Sequence, residues 1–326
     1  MNSFGRLFRL AIFGESHGDT IGIVIDGCPP GITFCENDMM SDLQRRKSGM
    51  KGTTSRIESD KPEIVSGVFN GFTTGAPVCI LFRNENIKSS DYSFIKETPR
   101  PGHADFVADK KYKGYNDFRG GGHFSGRLTL ALVSAGVLAK KIIAPVNINS
   151  EIIEIGGSKD FDSVIENAVN QGDSVGGIIE CRAENMPVGL GEPFFDSLES
   201  LISHLAFSIP AVKGIEFGLG FESARKPGSE VNDALIDKNG KCATNNSGGI
   251  NGGISNGNDL VFRVAVKPAS SITKTQTTIN ISSGKTEELS VTGRHDACIA
   301  LRIPPVLEAV TAIAIADLML ISKSFK

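Results

Sequence analysis

The sequence predicts an α+β fold built in layers, with central helices sandwiched between antiparallel sheets. Three observations predict it. Two long segments, Ser125–Ile143 and Pro304–Ile321, are apolar on most sides of a helix, the mark of a helix covered all round. Short apolar runs of strand length surround them and end in glycine-rich turns. No low-complexity linker divides the 326 residues, so positions 1–326 read as a single domain.

The elements follow in chain order. Leu7–Phe13 reads as a strand that breaks at Gly14-Glu15-Ser16-His17-Gly18, and Ile21–Ile25 reads as a second. Two short apolar runs split by a polar glycine loop suggest an antiparallel pair. Glu36–Lys47 reads as a helix, with Met39, Met40 and Leu43 at helical spacing and Arg45, Arg46 and Lys47 in the last turn, where cations suit the helix dipole. Val65–Phe69 and Val78–Phe82 read as strands across a turn-rich stretch, and Ile152–Ile155, Val175–Cys181 and Leu260–Val266 as further strands. Phe195–Phe207 reads as an amphipathic helix.

Composition excludes several classes. A net charge of −3 leaves no basic surplus for nucleic acid. The six cysteines form no C-x-x-C pair and none falls at zinc-ligand spacing with a histidine, so they read as reduced thiols, with no metal site. The first residues lack the apolar core of a signal peptide. Pro304, Pro305, Glu308 and Asp317 interrupt the last apolar segment, which argues against a membrane span. The expected compartment is the cytoplasm.

Gly14-Glu15-Ser16-His17-Gly18 matches the G-x-S-x-G pattern of a hydrolase nucleophile elbow, but an elbow leads from strand into helix, and here Ile21-Gly22-Ile23-Val24-Ile25 is strand-like. His17 is then a better candidate than Ser16. Of five histidines, four lie beside glycine or arginine: His17, His103, His123 and His295. A histidine in a glycine loop adds little packing, so the recurrence points to chemistry. Arg119–Arg127 places three glycines just before the long buried helix, whose free N–H groups and positive dipole end suit an anion. The segment has neither the P-loop ending nor Rossmann glycine spacing. Arg45, Arg46, Lys47, Arg56, Arg100, Arg119, Arg127 and Arg294 together offer forks for phosphate and carboxylates, if the fold gathers them. The residues themselves point to a small phosphorylated polyanion.

The chain resembles the chorismate synthase family over nearly its whole length. The resemblance is carried by Phe13-Gly14-Glu15-Ser16-His17-Gly18, Pro29-Pro30-Gly31-Ile32, Asp42-Leu43-Gln44-Arg45-Arg46, Ser66-Gly67-Val68 with Thr73-Thr74-Gly75, and Arg100-Pro101-Gly102-His103-Ala104-Asp105. It continues through Ala211-Val212-Lys213-Gly214, Gly248-Gly249-Ile250-Asn251-Gly252-Gly253, Lys267-Pro268-Ala269-Ser270-Ser271-Ile272 and Gly293-Arg294-His295-Asp296.

The resemblance implies a chorismate synthase-like layered fold and a lyase of the shikimate pathway. The reaction would be anti-1,4-elimination of phosphate from 5-enolpyruvylshikimate 3-phosphate to give chorismate, with reduced FMN as cofactor. It also implies a homotetramer. His17 would sit near the departing phosphate, His103 by the flavin, and Asp296 would assist removal of the ring proton. Arg46, Arg56, Arg100, Arg127 and Arg294 would hold the substrate's anionic groups. His123, Phe124, Ser125, Pro210, Ala211, Gly252, Lys267, Pro268, Ala269, Ser270 and Ser271, with Arg294, would bind FMN.

The sequence departs from the family pattern in places. The loop after Arg46 is about two residues short by motif spacing, which leaves either Lys51 or Arg56 as the second anion contact. His123-Phe124 stands where many members have Arg-Ser or Arg-Ala, and Pro210 where many have Asn. The stretch Asn147–Gly176 is trimmed. Some relatives reduce the flavin themselves with NADPH and others use an outside reductant; the missing Rossmann fingerprint leans toward the outside source.

Overall fold

The computed structural model describes residues 2–86, 94–293 and 295–324. Its strands are β1 (Ser3–Phe4), β2 (Arg9–Gly14), β3 (Thr20–Asp26), β4 (Glu63–Ser66), β5 (Val68–Phe69), β6 (Phe72–Thr73), β7 (Val78–Arg83), β8 (Asn147–Ile155), β9 (Gly177–Glu184), β10 (Val212–Phe217), β11 (Ile250–Asn251), β12 (Ile254–Ser255), β13 (Leu260–Val266), β14 (Gln276–Ile279) and β15 (Thr286–Leu289). Its α-helices are α1 (Glu36–Arg46), α2 (Asp105–Tyr112), α3 (Thr129–Ile142), α4 (Phe161–Asn170), α5 (Leu198–Ala206), α6 (Gly228–Val231) and α7 (Pro304–Ser324).

Two antiparallel sheets flank a helical layer. The first has the order β1-β2-β3-β7-β4 and the second β10-β13-β9-β8. Helix α3 packs on β3 of the first sheet, α7 packs on β8 and β9 of the second, and the two helices pack on each other. The period-2 pattern of β7 explains its placement: Val78, Ile80 and Phe82 are buried, while Cys79 and Leu81 are only partly covered. In the second sheet Leu260, Phe262, Val264 and Val266 of β13 enter the core. Arg263 between them bridges Glu180 of β9 and Glu216 of β10, a cross-strand pair on the other face.

The predicted antiparallel pairing of the first two long strands is observed, with Leu10 opposite Ile25. Both apolar helices lie in the core as expected. Helix α7 is long and apolar enough to cross a membrane, but 78% of its most apolar window is buried inside the protein. Gly136 of α3 makes the close α3–α7 contact possible, since a Cβ there would stand 2.3 Å from the Ala309 Cβ.

Several boundaries differ from the sequence reading. Leu7 and Phe8 form a turn rather than the start of a strand, because their backbone N–H groups, with that of Arg6, donate to the Asp317 carboxylate at 2.7–3.1 Å. The helix expected at Phe195 begins at Leu198, where the Ser197 side chain accepts the Ser200 N–H as an N-cap. The buried helix expected from Ser125 starts after a 3-10 turn, Gly126–Leu128, which Ser125 caps.

The last-turn cations of α1 do more than answer the helix dipole. Arg45 reaches the buried Glu308 of α7 at 2.6 Å, and Lys140 of α3 reaches the same carboxylate at 3.0 Å. Burial alone would raise the Glu308 carboxyl, but the Arg45 hydrogen bond and the Lys140 charge hold it below its ordinary value. One carboxylate thus ties α1, α3 and α7 together.

Candidate active site

The loop Gly14–Gly18 joins β2 to β3, two antiparallel strands, so it is not a strand-to-helix elbow. The Ser16 hydroxyl lies buried and accepts from Arg56 Nη1 at 3.3 Å. His17 is buried beside it, behind the glycines of the Arg119–Phe124 turn. Gly120 permits this, because a Cβ there would fall 2.4 Å from His17 Nε2, and its φ of +58° suits glycine. Burial, reinforced by Arg56 and Arg119, lowers the His17 pKa to about 4. His17 is therefore neutral at pH 7 in the ligand-free protein.

The start of α3 faces two adjoining cavities. The larger, about 570 Å³, is of the size that takes a cofactor or drug-sized ligand. Its walls come from the Arg100–Ala104 loop, from His123, Phe124 and Ser125, from Pro210 and Ala211, and from Lys267 to Ser271. Ile299, Ile303 and Val306 give it an apolar side. The smaller, about 170 Å³, is lined by Ser16, Arg56, Glu58, Asp60 and Arg127 among others. Arg46, Gly120, Ser125, Gly126, Asp296 and Arg302 line both. The N-terminal turn of the long helix therefore opens where the two cavities meet.

Charges are paired across the shared wall. Asp60 bridges Arg46 and Arg127, each at 2.8 Å. Burial lowers the Arg46 pKa to about 10 against the pull of Asp60, so the group stays charged at pH 7. Glu58 takes two hydrogen bonds from Arg56, at 2.9 and 2.6 Å. Arg46 Nε and Arg127 Nη2 remain buried with no hydrogen-bond partner among the described residues. Buried donors left open beside a cavity are sockets for an anion.

The Arg100–Asp105 segment forms a second network. The Asp105 carboxylate accepts from Arg100 Nε and Nη2, each at 2.8 Å, and stands 2.6 Å from His103 Nδ1. Arg100 Nη1 donates to the Ser271 hydroxyl at 2.9 Å. Lys267 Nζ donates to the Gly102 carbonyl at 2.9 Å and to Ser270 Oγ at 2.8 Å. Burial, then the charge of Lys213, lowers the Lys267 pKa. Beyond this cluster Ala211 has φ of +75°, a strained value for a residue with a Cβ, and its carbonyl accepts the Lys267 N–H at 2.9 Å.

Asp296 sits where the two cavities meet. Its Oδ1 accepts the Thr54 N–H at 2.9 Å, and Arg302 pairs with it at 3.2 Å. Arg302 Nε also donates to the Arg46 carbonyl at 3.0 Å.

The fold thus gathers most of the residues singled out in the sequence. His103, Asp296, Arg46, Arg100, His123, Phe124, Ser125, Pro210, Ala211 and Lys267 to Ser271 line the larger cavity, Arg56 and Arg127 the smaller, and His17 lies behind Gly120. Of the two candidates after Arg46, Arg56 lines a cavity, whereas Lys51 forms an exposed pair with Glu166. Gly252 sits in the β11–β12 turn and lines neither cavity. Arg119 also lies outside both and pairs with Asp117 at 2.8 Å. Arg294 lies outside the described residues. The sequence reading missed Arg302, Glu58, Asp60 and Asp105. A lone arginine in the apolar stretch Ile299–Val306 was a signal for the first.

A family model described as chorismate synthase matches residues 8–320. The chain belongs to the chorismate synthase family. It is 61% identical over 324 residues to the chorismate synthase of Chitinophaga pinensis, covering 99% of this chain and 98% of that one. With the chorismate synthase of Dehalococcoides mccartyi it shares 46% identity over 353 residues, 98% of this chain and 96% of the relative. A solved chorismate synthase crystal structure superposes with a TM-score of 0.76 at 27% identity, covering 98% of this chain and 93% of that chain. The protein is a carbon–oxygen lyase of the shikimate pathway that eliminates phosphate from 5-enolpyruvylshikimate 3-phosphate to give chorismate.

Proposed function

We propose that the larger cavity holds reduced FMN with the substrate, and that substrate anions reach the shared wall and the smaller cavity. The observation that carries this reading is the pair of buried donors without a hydrogen bond among the described residues, Arg46 Nε and Arg127 Nη2, on residues that line the smaller cavity with Asp296. The substrate's phosphate and two carboxylates match such forks. Arg56 adds a further cation, and Arg294 is assigned the same task by family resemblance.

The residues present fit FMN. Lys267, Ser270 and Ser271 offer a cation and hydroxyls for its phosphate, and the apolar side at Ile299, Ile303 and Val306 suits a flat ring. Phe124, Pro210, Ala211, His123 and Ser125 close the same chamber. When bound, reduced FMN supplies electron density to the breaking carbon–oxygen bond and is not consumed overall.

Asp296, fixed by Thr54 and Arg302, assists in removing the ring proton. His17, neutral before substrate arrives, donates its ring N–H to the departing phosphate. The phosphate's negative charge then opposes the effects of burial, Arg56 and Arg119, and favours the protonated ring. His103 presents its imidazole to the larger cavity, beside the flavin.

Six free cysteines accord with a reducing cytoplasm, and one continuous apolar core supports a single domain over residues 1–326. Exposed Phe194, Phe195 and Phe221 supply apolar surface for a homotetramer. An outside reductant is the proposed electron source for the flavin.

Anaerobic turnover tests the reading. Protein, FMN and dithionite are mixed with 5-enolpyruvylshikimate 3-phosphate, and chorismate absorbance and released phosphate are followed together. Equal amounts of both, absent without reductant, are expected; turnover without flavin would overturn the cofactor assignment.

A further inference from the structure

His103 lines the larger cavity and has one ring nitrogen in a polar cluster. Nδ1 lies 2.6 Å from Asp105 Oδ1 and 3.0 Å from Arg100 Nη2. These neighbours ask opposite things of it, since a carboxylate needs a donor and a guanidinium needs an acceptor. The carboxylate is closer, and Arg100 Nη2 already has Asp105 Oδ1 as acceptor at 2.8 Å. A proton on Nδ1 would answer the closer neighbour and leave Arg100 Nη2 its own acceptor. The ring lines the larger cavity, and its Nε2 lies away from the Asp105 cluster, beside Gly121, where a Cβ would stand 3.5 Å from it.

We propose that Asp105 is the positioning residue of His103, holding the ring as the Nδ1–H tautomer so that Nε2 presents its lone pair to the cavity. The inference rests on the proposed placement of His103 beside the flavin, and takes its ring as an acid–base group there. Asp105 suits the task. Its side chain is only 4% exposed, and it begins α2, where the helix dipole favours a negative charge. Burial alone would raise its carboxyl, but hydrogen bonds from Arg100 and His103 hold it well below the usual carboxylate range. It is ionised at pH 7. The Arg100 backbone N–H adds a further bond at 3.1 Å, and Ser271 holds the far end of the guanidinium at 2.9 Å. These bonds hold the carboxylate in place and favour its charged form. With Nδ1 tied in this way, Nε2 is the nitrogen that accepts a proton from, or returns it to, a ligand in the cavity.

The test begins with wild-type protein carrying ¹⁵N-labelled histidine, the His103 signals being assigned by loss in His103→Ala. Neutral His103 is expected as the Nδ1–H tautomer, and an Nε2–H tautomer overturns the proposal without any variant having to fold. Asp105→Asn is expected to move the population toward Nε2–H and to lower kcat by about 10²–10⁴-fold. Asp105→Glu is expected to restore part of both. An unchanged tautomer in folded Asp105→Asn, or unchanged kcat beside a slow His103→Ala, also overturns it. Normal turnover in His103→Ala would instead refute the acid–base reading of His103, while the tautomer measurement still decides the geometry.

Discussion

Arg46 Nη2 and Asp60 Oδ2 meet at 2.8 Å with both side chains nearly sealed from solvent, and the other Asp60 oxygen holds Arg127 at the same distance. One buried carboxylate therefore balances two guanidiniums that also face the cavity wall. Asp60→Asn is expected to destabilise the fold by about 3–5 kcal/mol, because it removes the counter-charge of buried Arg46 and leaves Arg127 only its longer pair with Glu58 at 3.9 Å. Lys51→Ala, which breaks an exposed pair with Glu166, is expected to cost about 1 kcal/mol or less. Urea unfolding of the two variants checks the contrast, and equal costs would contradict it.

Gly120→Ala places a methyl group 2.4 Å from His17 Nε2, at a backbone φ of +58°. The strain is expected to cost about 1–2 kcal/mol in stability. Displacement of His17 is expected to lower kcat by about 10²-fold or more. Gly71→Ala serves as control for backbone strain alone, because its φ is +78°, a Cβ there meets nothing within 4 Å, and it lines neither cavity. If turnover in Gly120→Ala matches wild type, His17 has no part in the reaction.

Burial moves His17 from an ordinary value of 6.5 to about 4. Between these values the unfolded chain binds a proton at His17 that the folded chain does not. Stability therefore falls as pH is lowered through 6.5, and the loss is complete below about 4, where both states are protonated. His17→Asn is expected to flatten that part of the stability curve. Urea midpoints measured from pH 7 to pH 4 in both proteins check the sign, and parallel curves would exclude His17 as the source.

Gly136→Val drives a side chain into Ala309 at the α3–α7 contact. The expected loss is about 1–3 kcal/mol, with flavin and substrate affinity changed far less than stability. Combining it with Ala309→Gly should recover part of the loss. Thermal unfolding of the single and double variants shows whether the two positions are coupled.

How much of this was legible depended on how local each signal was. Helices α3 and α7 announced themselves through long apolar runs, and the β2–β3 pair through two runs split by a glycine loop. Helix α2 did not, since Ala108 is its only buried residue and no apolar face marks its period. Strand β10 was missed because Gly214 and Lys213 interrupt it, and its pairing with β13 is a tertiary fact. Cations of the candidate site were visible because arginines beside glycines are conspicuous. Their partners Glu58, Asp60 and Asp105 were not, since a carboxylate reads as surface charge until the fold buries it. Arg302 lay outside the glycine loops, and its one signal was its place in the apolar stretch Ile299–Val306.

The three backbone N–H groups bonded to Asp317 bear on how the chain matures during synthesis. The turn at Arg6–Phe8 sets the entry into β2, yet the carboxylate that holds it lies 309–311 positions later. A nascent chain emerging from the ribosome can pair β2 with β3 early, but the entry to β2 stays unanchored until α7 has been released. Truncation before residue 317 would thus loosen the opposite end of the polypeptide, and the last helix acts as the latch on the first strand.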